Sequence, residues 1–376
     1  MPTGLYCVVC GFDLPSSAIR DSWKPVLERE DWGAKAQDAL EGRSVIVSAA
    51  ELEATDFTRD PCTWSMFFRI ILDDPRNNAP CITGITYTRP NQTDTRVPTQ
   101  PHRAFIWGDP TRKSRWNTGF QIVDILEKNP IKKPGVPLGY PIHAHCWLLA
   151  NRVIGHDVVE QNLRAFIKAI EAFWKRKGKR QELSTEHSCK SVVCFCHDMR
   201  SSYPGEEWVP KQTLKHYIFC SPSPYRIPEI EDLLARATSN REKPGKLRES
   251  CTDVSQDIAM IIVDTVFRGY KPEDYQEAIS DVENLLEAFQ WTLHDDYWMK
   301  RSSGWRSLIY EVDDRIRVGK KIDWATLTLG VEEMLVSFDW YFDSGLYLRA
   351  RVMESLREME QDFLELVEGN GDIVIT

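Results

Sequence analysis

Two short spacings carry the most specific chemistry in the chain. Cys7-Val-Val-Cys10-Gly11 sets two thiols two residues apart, so both sulfurs can reach one metal at about 2.3 Å, and the glycine permits the tight turn between them. Far along the chain, Gly139-Tyr-Pro-Ile-His143-Ala-His145-Cys146-Trp147 repeats the two-residue gap with an imidazole and a third thiol, just before a helical pattern. Cys7, Cys10, His143 and Cys146 together make a complete tetrahedral set for Zn, with His145 as the alternative imidazole. Four filled positions leave none open, so the expected ion is structural and ties the start of the chain to a distant segment. Catalytic zinc would need a vacant position and a nearby general base, and neither is seen in these motifs. The plainer reading makes Cys146 and one histidine core residues, since free cysteine is among the most buried types. A second group, Cys189, Cys194, Cys196 and His197, has irregular spacing, and its adjacent Cys-His pair is awkward for one tetrahedron.

Other chemistry has simpler explanations. The carboxylate pairs Asp73-Asp74, Asp295-Asp296 and Asp313-Asp314 each sit beside an expected helix or strand end, where aspartate caps the backbone. No phosphate-cradling glycine loop and no Gly-x-Ser-x-Gly elbow is present. Nothing marks one thiol among the 10 cysteines as an activated nucleophile. The expectation is a protein that binds, not an enzyme.

The elements that must position the cysteines and histidine change character along the chain. Short runs rich in β-branched and aromatic residues predict strands at 44–48, 64–72, 82–87 and 104–107, separated by turns and by a loop from Thr88 to His102 with three prolines. From Tyr140 onward the period turns helical. Trp147 to Gly155 reads as a short apolar helix, and Val159, Leu163, Phe166, Ile167, Ile170 and Phe173 make one buried stripe over Val158 to Trp174. The charge run Lys175 to Arg180 then reads as a solvated linker, with a nuclear localisation signal as the alternative. A strand near His216 to Cys220 and a helix over Ile227 to Ala237 follow. The polar stretch Thr238 to Ser250 has almost nothing to bury and is the best domain boundary.

At 376 residues the chain exceeds one compact core, and a 42% hydrophobic fraction with 13 Trp, 15 Phe and 12 Tyr gives it enough to bury. A net charge of -9 repels a phosphate backbone, so no nucleic-acid partner is expected. No stretch approaches the roughly 20 apolar residues a bilayer crossing requires, and Met1 to Cys7 shows no basic n-region followed by an apolar run, so neither a signal peptide nor a membrane partner is expected. The expected setting is the cytoplasm or nucleus, where cysteines stay reduced or hold metals.

Beyond Cys251 the pattern is mostly helical. Asp257 to Phe267 puts Ile258, Ile261, Ile262 and Val266 on one stripe, and Val282 to Trp298 repeats the pattern with Val282, Leu285, Leu286, Phe289 and Leu293. The final helix, Tyr347 to Val367, aligns Val352, Leu356, Met359, Phe363 and Val367.

The order of several phrases here resembles the F-box-like proteins of filamentous fungi. They are Ile227-Pro-Glu-Ile with Leu233-Leu234, the helix Asp257 to Asp264, Asn284 to Trp291, Asp295 to Arg301, Glu311 to Asp314, Asp323-Trp324, Leu329 to Glu332 and Gly345 to Arg351. Cys7 and Cys10 with Gly139-Tyr-Pro-Ile-His-x-x-Cys-Trp147 are similar to the front half of that family. The resemblance implies a three-helix F-box that docks on the Skp-type adaptor of a cullin ubiquitin ligase, while the rest of the chain presents an unknown protein substrate. The matched positions imply Ile258, Ile261, Ile262, Val266, Leu285, Leu286 and Phe289 as contacts, by helices laying apolar stripes against the adaptor. The expected class is α+β, with a zinc-clipped α+β domain at 1–175, a spacer with a strand and short helix at 176–250, and a helical F-box-like domain with C-terminal helices at 251–376. A second reading is a zinc-braced interaction protein without a ligase role. It takes its support from Val254-Ser255, which stands where a typical F-box opens with Leu-Pro.

Overall fold

The structure is a computed structural model that describes residues 6–11, 14, 45–55, 63–77, 79–87, 97–107, 120–123, 135–177, 222–240, 254–271, 274–337, 340–341 and 344–369. It is of mixed α+β type. The chain divides into two compact units, one of 1–226 with 348–376 and one of 227–347.

The first unit contains the strands β1 (Val45–Ser48), β2 (Phe67–Asp73), β3 (Cys81–Ile82), β4 (Thr86–Tyr87), β5 (Arg103–Trp107), β6 (Gln121–Ile122) and β7 (Leu138–His143). β1 and β5 form an antiparallel pair. The larger sheet runs β3-β2-β7-β6, with β4 also on β2. β2 and β7 are antiparallel over six positions, from Phe68 opposite His143 to Asp73 opposite Leu138, while β6 joins β7 in parallel. Every residue of β2 from Phe67 to Leu72 is buried, which accounts for its nearly continuous apolar run. The exception inside that run is Arg69. Its guanidinium pairs with Glu53 at 2.7 Å and donates to the carbonyls of Thr83 at 2.9 Å and Pro101 at 2.6 Å. Glu53 belongs to the helix α1 (Ala49–Glu53), so one buried cation fastens β2 to a helix and two loops.

β7 passes directly into α2 (Ala144–Ala150), followed by a π-helical turn (Asn151–Gly155), α3 (His156–Gln161) and α4 (Leu163–Lys177). The stripe expected on α4 is buried throughout, from Leu163 to Phe173, and Trp174 is buried with it.

The second unit comprises α5 (Pro228–Asn240), α6 (Gln256–Gly269), α7 (Tyr275–Phe289), α8 (Asp295–Arg301), α9 (Glu311–Arg317) and α10 (Trp324–Val336). α10 packs on α5, α7 and α8. Its Gly330 lies so close to Leu233 of α5 that a Cβ would come within 2.6 Å of the leucine side chain. Ser255 caps α6 by accepting from the Ile258 N–H, and Asp323 caps α10 by accepting from the Thr326 N–H. A polar cluster braces the helices: Arg301 donates to Glu332 at 2.8 Å and to the Tyr275 hydroxyl, and its guanidinium lies 3.5 Å from the centre of the Phe267 ring. The last helix, α11 (Leu346–Glu368), buries Val352, Leu356, Met359, Phe363 and Val367 as its pattern predicts.

Three expectations need correction. The boundary expected across Thr238 to Ser250 does not separate the units: Pro228–Asn240 is continuous helix and its Ile230, Leu233 and Leu234 sit in the core of the second unit. Residues 348–376, assigned by pattern to a C-terminal domain, belong with the first unit. Val282 to Trp298 is not one helix, because Gln290 takes a left-handed φ of 54° and the Trp291 N–H closes back on Leu286 O, ending α7. Leu293 is buried from the connecting segment, and the buried face of α7 is Ala278, Ile279 and Val282. The strand expected near His216 to Cys220 lies outside the described residues.

Candidate metal centre

Cys7 and Cys10 stand on a turn closed by the Gly11 N–H donating to Cys7 O at 2.8 Å, and Gly11 has a φ of 71°, where a side chain is strained. The turn is anchored on β7, because the Val8 N–H donates to Pro141 O at 2.7 Å. His143 is the last residue of β7 and the residue before α2, and Cys146 is in the first turn of that helix. The strand-to-helix junction thus turns the two-residue gap into two side chains that face the same point as the two cysteines.

All four residues are buried, none more than 3% exposed, and their ligand atoms lie within 4.8 Å of one another. His143 Nδ1 is 3.4 Å from Cys10 Sγ and 3.8 Å from Cys146 Sγ. A tetrahedron with metal–sulfur bonds of about 2.3 Å and a metal–nitrogen bond of about 2.0 Å has edges of about 3.5 Å between S and N and about 3.8 Å between sulfurs. The two S–N distances are close to the edges of an ion's first coordination shell, and the 4.8 Å that bounds every separation in the cluster is about 1 Å beyond such an edge. The His143 N–H also donates to Cys7 Sγ at 3.4 Å.

The electrostatics favour a cation. Burial alone would raise the Cys7 thiol, but hydrogen bonding with Cys10 and Cys146 and the charge of His143 outweigh it and hold Cys7 well below the ordinary thiol range. Burial, reinforced by the Cys10 and Cys7 sulfurs, pushes Cys146 well above that range. A dication at this point would favour the thiolate form of all three cysteines. The donor set is compatible with zinc.

His145, the alternative imidazole, is engaged elsewhere. Its Nδ1 is 2.6 Å from Ser223 Oγ, and its ring stacks on Trp64 with centroids 5.9 Å apart. Burial, with Arg226 and His143 adding to it, pushes its pKa down to about 3, so it is a neutral packing residue. Trp64 also tilts against the His143 ring at 5.1 Å. Trp174 of α4 donates its indole N–H to Val8 O at 2.6 Å and so supports the cysteine turn. In the sequence Trp174 reads only as the end of an apolar stripe and Trp64 only as the start of a strand, and Ser223 carries no signal. The group Cys189, Cys194, Cys196 and His197 lies outside the described residues.

The residues expected to contact a partner divide into two sets. Ile258 and Ile261 are 51% and 63% exposed and Phe289 is 41% exposed, stacked on Trp291 at 5.0 Å. Val266, Leu285 and Leu286 are half-buried against the core of the second unit, and Ile262 is half-buried. The face of α6 that is fully inside is Ala259, Val263 and Phe267, one position away from the stripe read from sequence. Gln256 of α6 donates to Thr292 O at 3.2 Å, which brings the start of α6 next to the end of α7 and puts the exposed apolar residues at one end of the helix pair.

The chain matches no family model, no curated protein and no solved structure. No helix among the described residues is long and apolar enough to cross a membrane.

Proposed function

We propose that the protein is a non-catalytic adaptor, with a structural zinc ion bracing its first unit and an apolar patch on its second unit that receives a Skp-type adaptor of a cullin ubiquitin ligase. The observation that carries the zinc half is the closed, fully buried four-donor cluster of Cys7, Cys10, His143 and Cys146. With every tetrahedral position filled by protein, the ion would supply folding energy, apparent values for structural zinc being about 10–16 kcal/mol. The Cys7–Gly11 turn and the β7–α2 junction hold the donors, and their burial excludes water from the sulfurs.

The partner half draws support from the order of F-box-like phrases in the sequence and from Ile258, Ile261 and Phe289, apolar side chains exposed at one end of α6 and α7. Covering them on a helical partner would contribute about 2–4 kcal/mol, enough for a hot spot within a larger contact. The first unit would then present an unknown protein substrate. Pull-down of the full chain with the Skp-type adaptor tests this reading: capture that Ile261→Asp weakens about thirtyfold or more supports it, and no capture removes it. In that case the zinc-braced interaction module without a ligase role is the reading that remains, in keeping with Val254-Ser255 ahead of α6.

A further inference from the structure

We propose that occupancy of the metal centre controls how firmly α4 and the C-terminal helix α11 seat within the first unit; this rests on the zinc reading above. Two lines of contact lead outward from the cluster, and both end on α11.

The first passes through the cysteine turn. Val8 and Val9, between the two cysteines, are fully buried, and Val8 O is the acceptor for the Trp174 indole N–H at 2.6 Å. Trp174 is itself buried in the last turns of α4, so release of the turn would leave a buried donor without its acceptor and two valine-sized gaps beside it. The same end of α4 carries Arg176 and Lys177, which pair with Asp362 and Glu358 of α11 at 2.7 and 2.8 Å.

The second line passes through α2. Trp147, next to Cys146, meets the Phe166 ring edge-on at 6.5 Å, and Phe166 meets Phe363 of α11 at 6.1 Å in the same manner. Trp147, Phe166 and Phe363 are all buried, and close-packed interiors transmit a displacement of one member to the next. Metal loss frees the cysteine turn from His143 and Cys146, and both lines loosen together. The ion therefore links the start of the chain to its last helix through α4. The sheet, whose β2 and β7 pair over six positions and need no metal for their ladder, holds its own contacts.

The test is hydrogen exchange on the full chain in three states: loaded with zinc, chelated with EDTA, and reloaded. The expected result is that chelation speeds exchange of amides in 166–177 and 352–363 at least tenfold, reloading restores them, and α6, α7 and the β2–β7 ladder change less than twofold. A metal-loaded Trp174→Phe variant keeps all four ligands. It should retain full metal content yet exchange at least fivefold faster over 170–177, a result that does not depend on surviving chelation. Unchanged exchange at α11 after metal content has fallen below a tenth of an equivalent overturns this inference and leaves the zinc reading intact. A chain that takes up no metal at all overturns both.

Discussion

Replacing Arg69 by methionine probes the first unit where its sheet meets its loops. The guanidinium is almost wholly enclosed and makes four short bonds, two to Glu53 Oε1 at 3.2 and 2.7 Å and one each to Thr83 O and Pro101 O. Methionine fills much of the same volume but satisfies none of these acceptors. Glu53 is left as a carboxylate with only 14% of its side chain exposed, and two carbonyls lose a charged donor. Breaking a buried pair from one side costs about 3–5 kcal/mol, most of it the unpaired charge that remains. Arg69 lies opposite Ile142 in β7, one residue from His143, so the loss is felt next to the Cys/His cluster. Native-state hydrogen exchange of β2 and β7 should show opening about 10² to 10⁴ times more frequent than in the parent chain. Adding Glu53→Leu removes the stranded charge and should recover at least about 1 kcal/mol of that loss. A single variant within about 0.5 kcal/mol of the parent, or a double variant no better than the single, would refute the reasoning from unpaired charge.

Other perturbations follow from the same contacts. Cys10→Ser should lower zinc content by more than half by elemental analysis and destabilise the first unit, while Ser223→Ala should leave metal content unchanged because His145 is outside the donor set. Gly84→Ala brings a Cβ within 2.4 Å of Arg103 O and 2.6 Å of Gln100 O, both backbone atoms that cannot swing aside; a thermal melt should show a loss of about 2–4 kcal/mol. Phe363→Ala opens a cavity in the buried face of α11 and should cost about 3–5 kcal/mol in urea denaturation of the first unit. Tyr297→Phe removes the 2.7 Å bond to Asp264 and should destabilise the second unit by about 1–2 kcal/mol, with the first unit unaffected.

The candidate metal site was legible because its chemistry is local in sequence: two gaps of two residues, one on a turn and one at a strand-to-helix junction. What the spacing left open was which histidine joins the cysteines: His145 is held by Ser223 and Trp64 instead, neither of which has any sequence relation to the cysteines. Helices with a single buried stripe, such as α4 and α11, followed from periodicity because one face of each meets the core. α6 did not. Its isoleucines dominate any hydrophobic pattern, yet the buried face is Ala259, Val263 and Phe267, one position along the helix. The break after Phe289 was hidden as well, since Gln290 carries none of the glycine signal that normally marks a left-handed residue. The division into units escaped the sequence for a different reason. A polar stretch after Ala237 looks like a linker, but the contacts that place α5 are long-range: it packs on α10, and its Ile230, Leu233 and Leu234 lie in the core of the second unit.

X-ray absorption at the zinc edge, on the full chain with its metal content measured in parallel, tests the centre most directly. The proposed zinc centre predicts close to one zinc per chain, bound by three sulfurs at about 2.3 Å and one nitrogen at about 2.0 Å, with no oxygen neighbour. A metal content below a tenth of an equivalent after reloading, or a shell containing water oxygen and fewer than three sulfurs, would contradict a closed structural site built from Cys7, Cys10, His143 and Cys146.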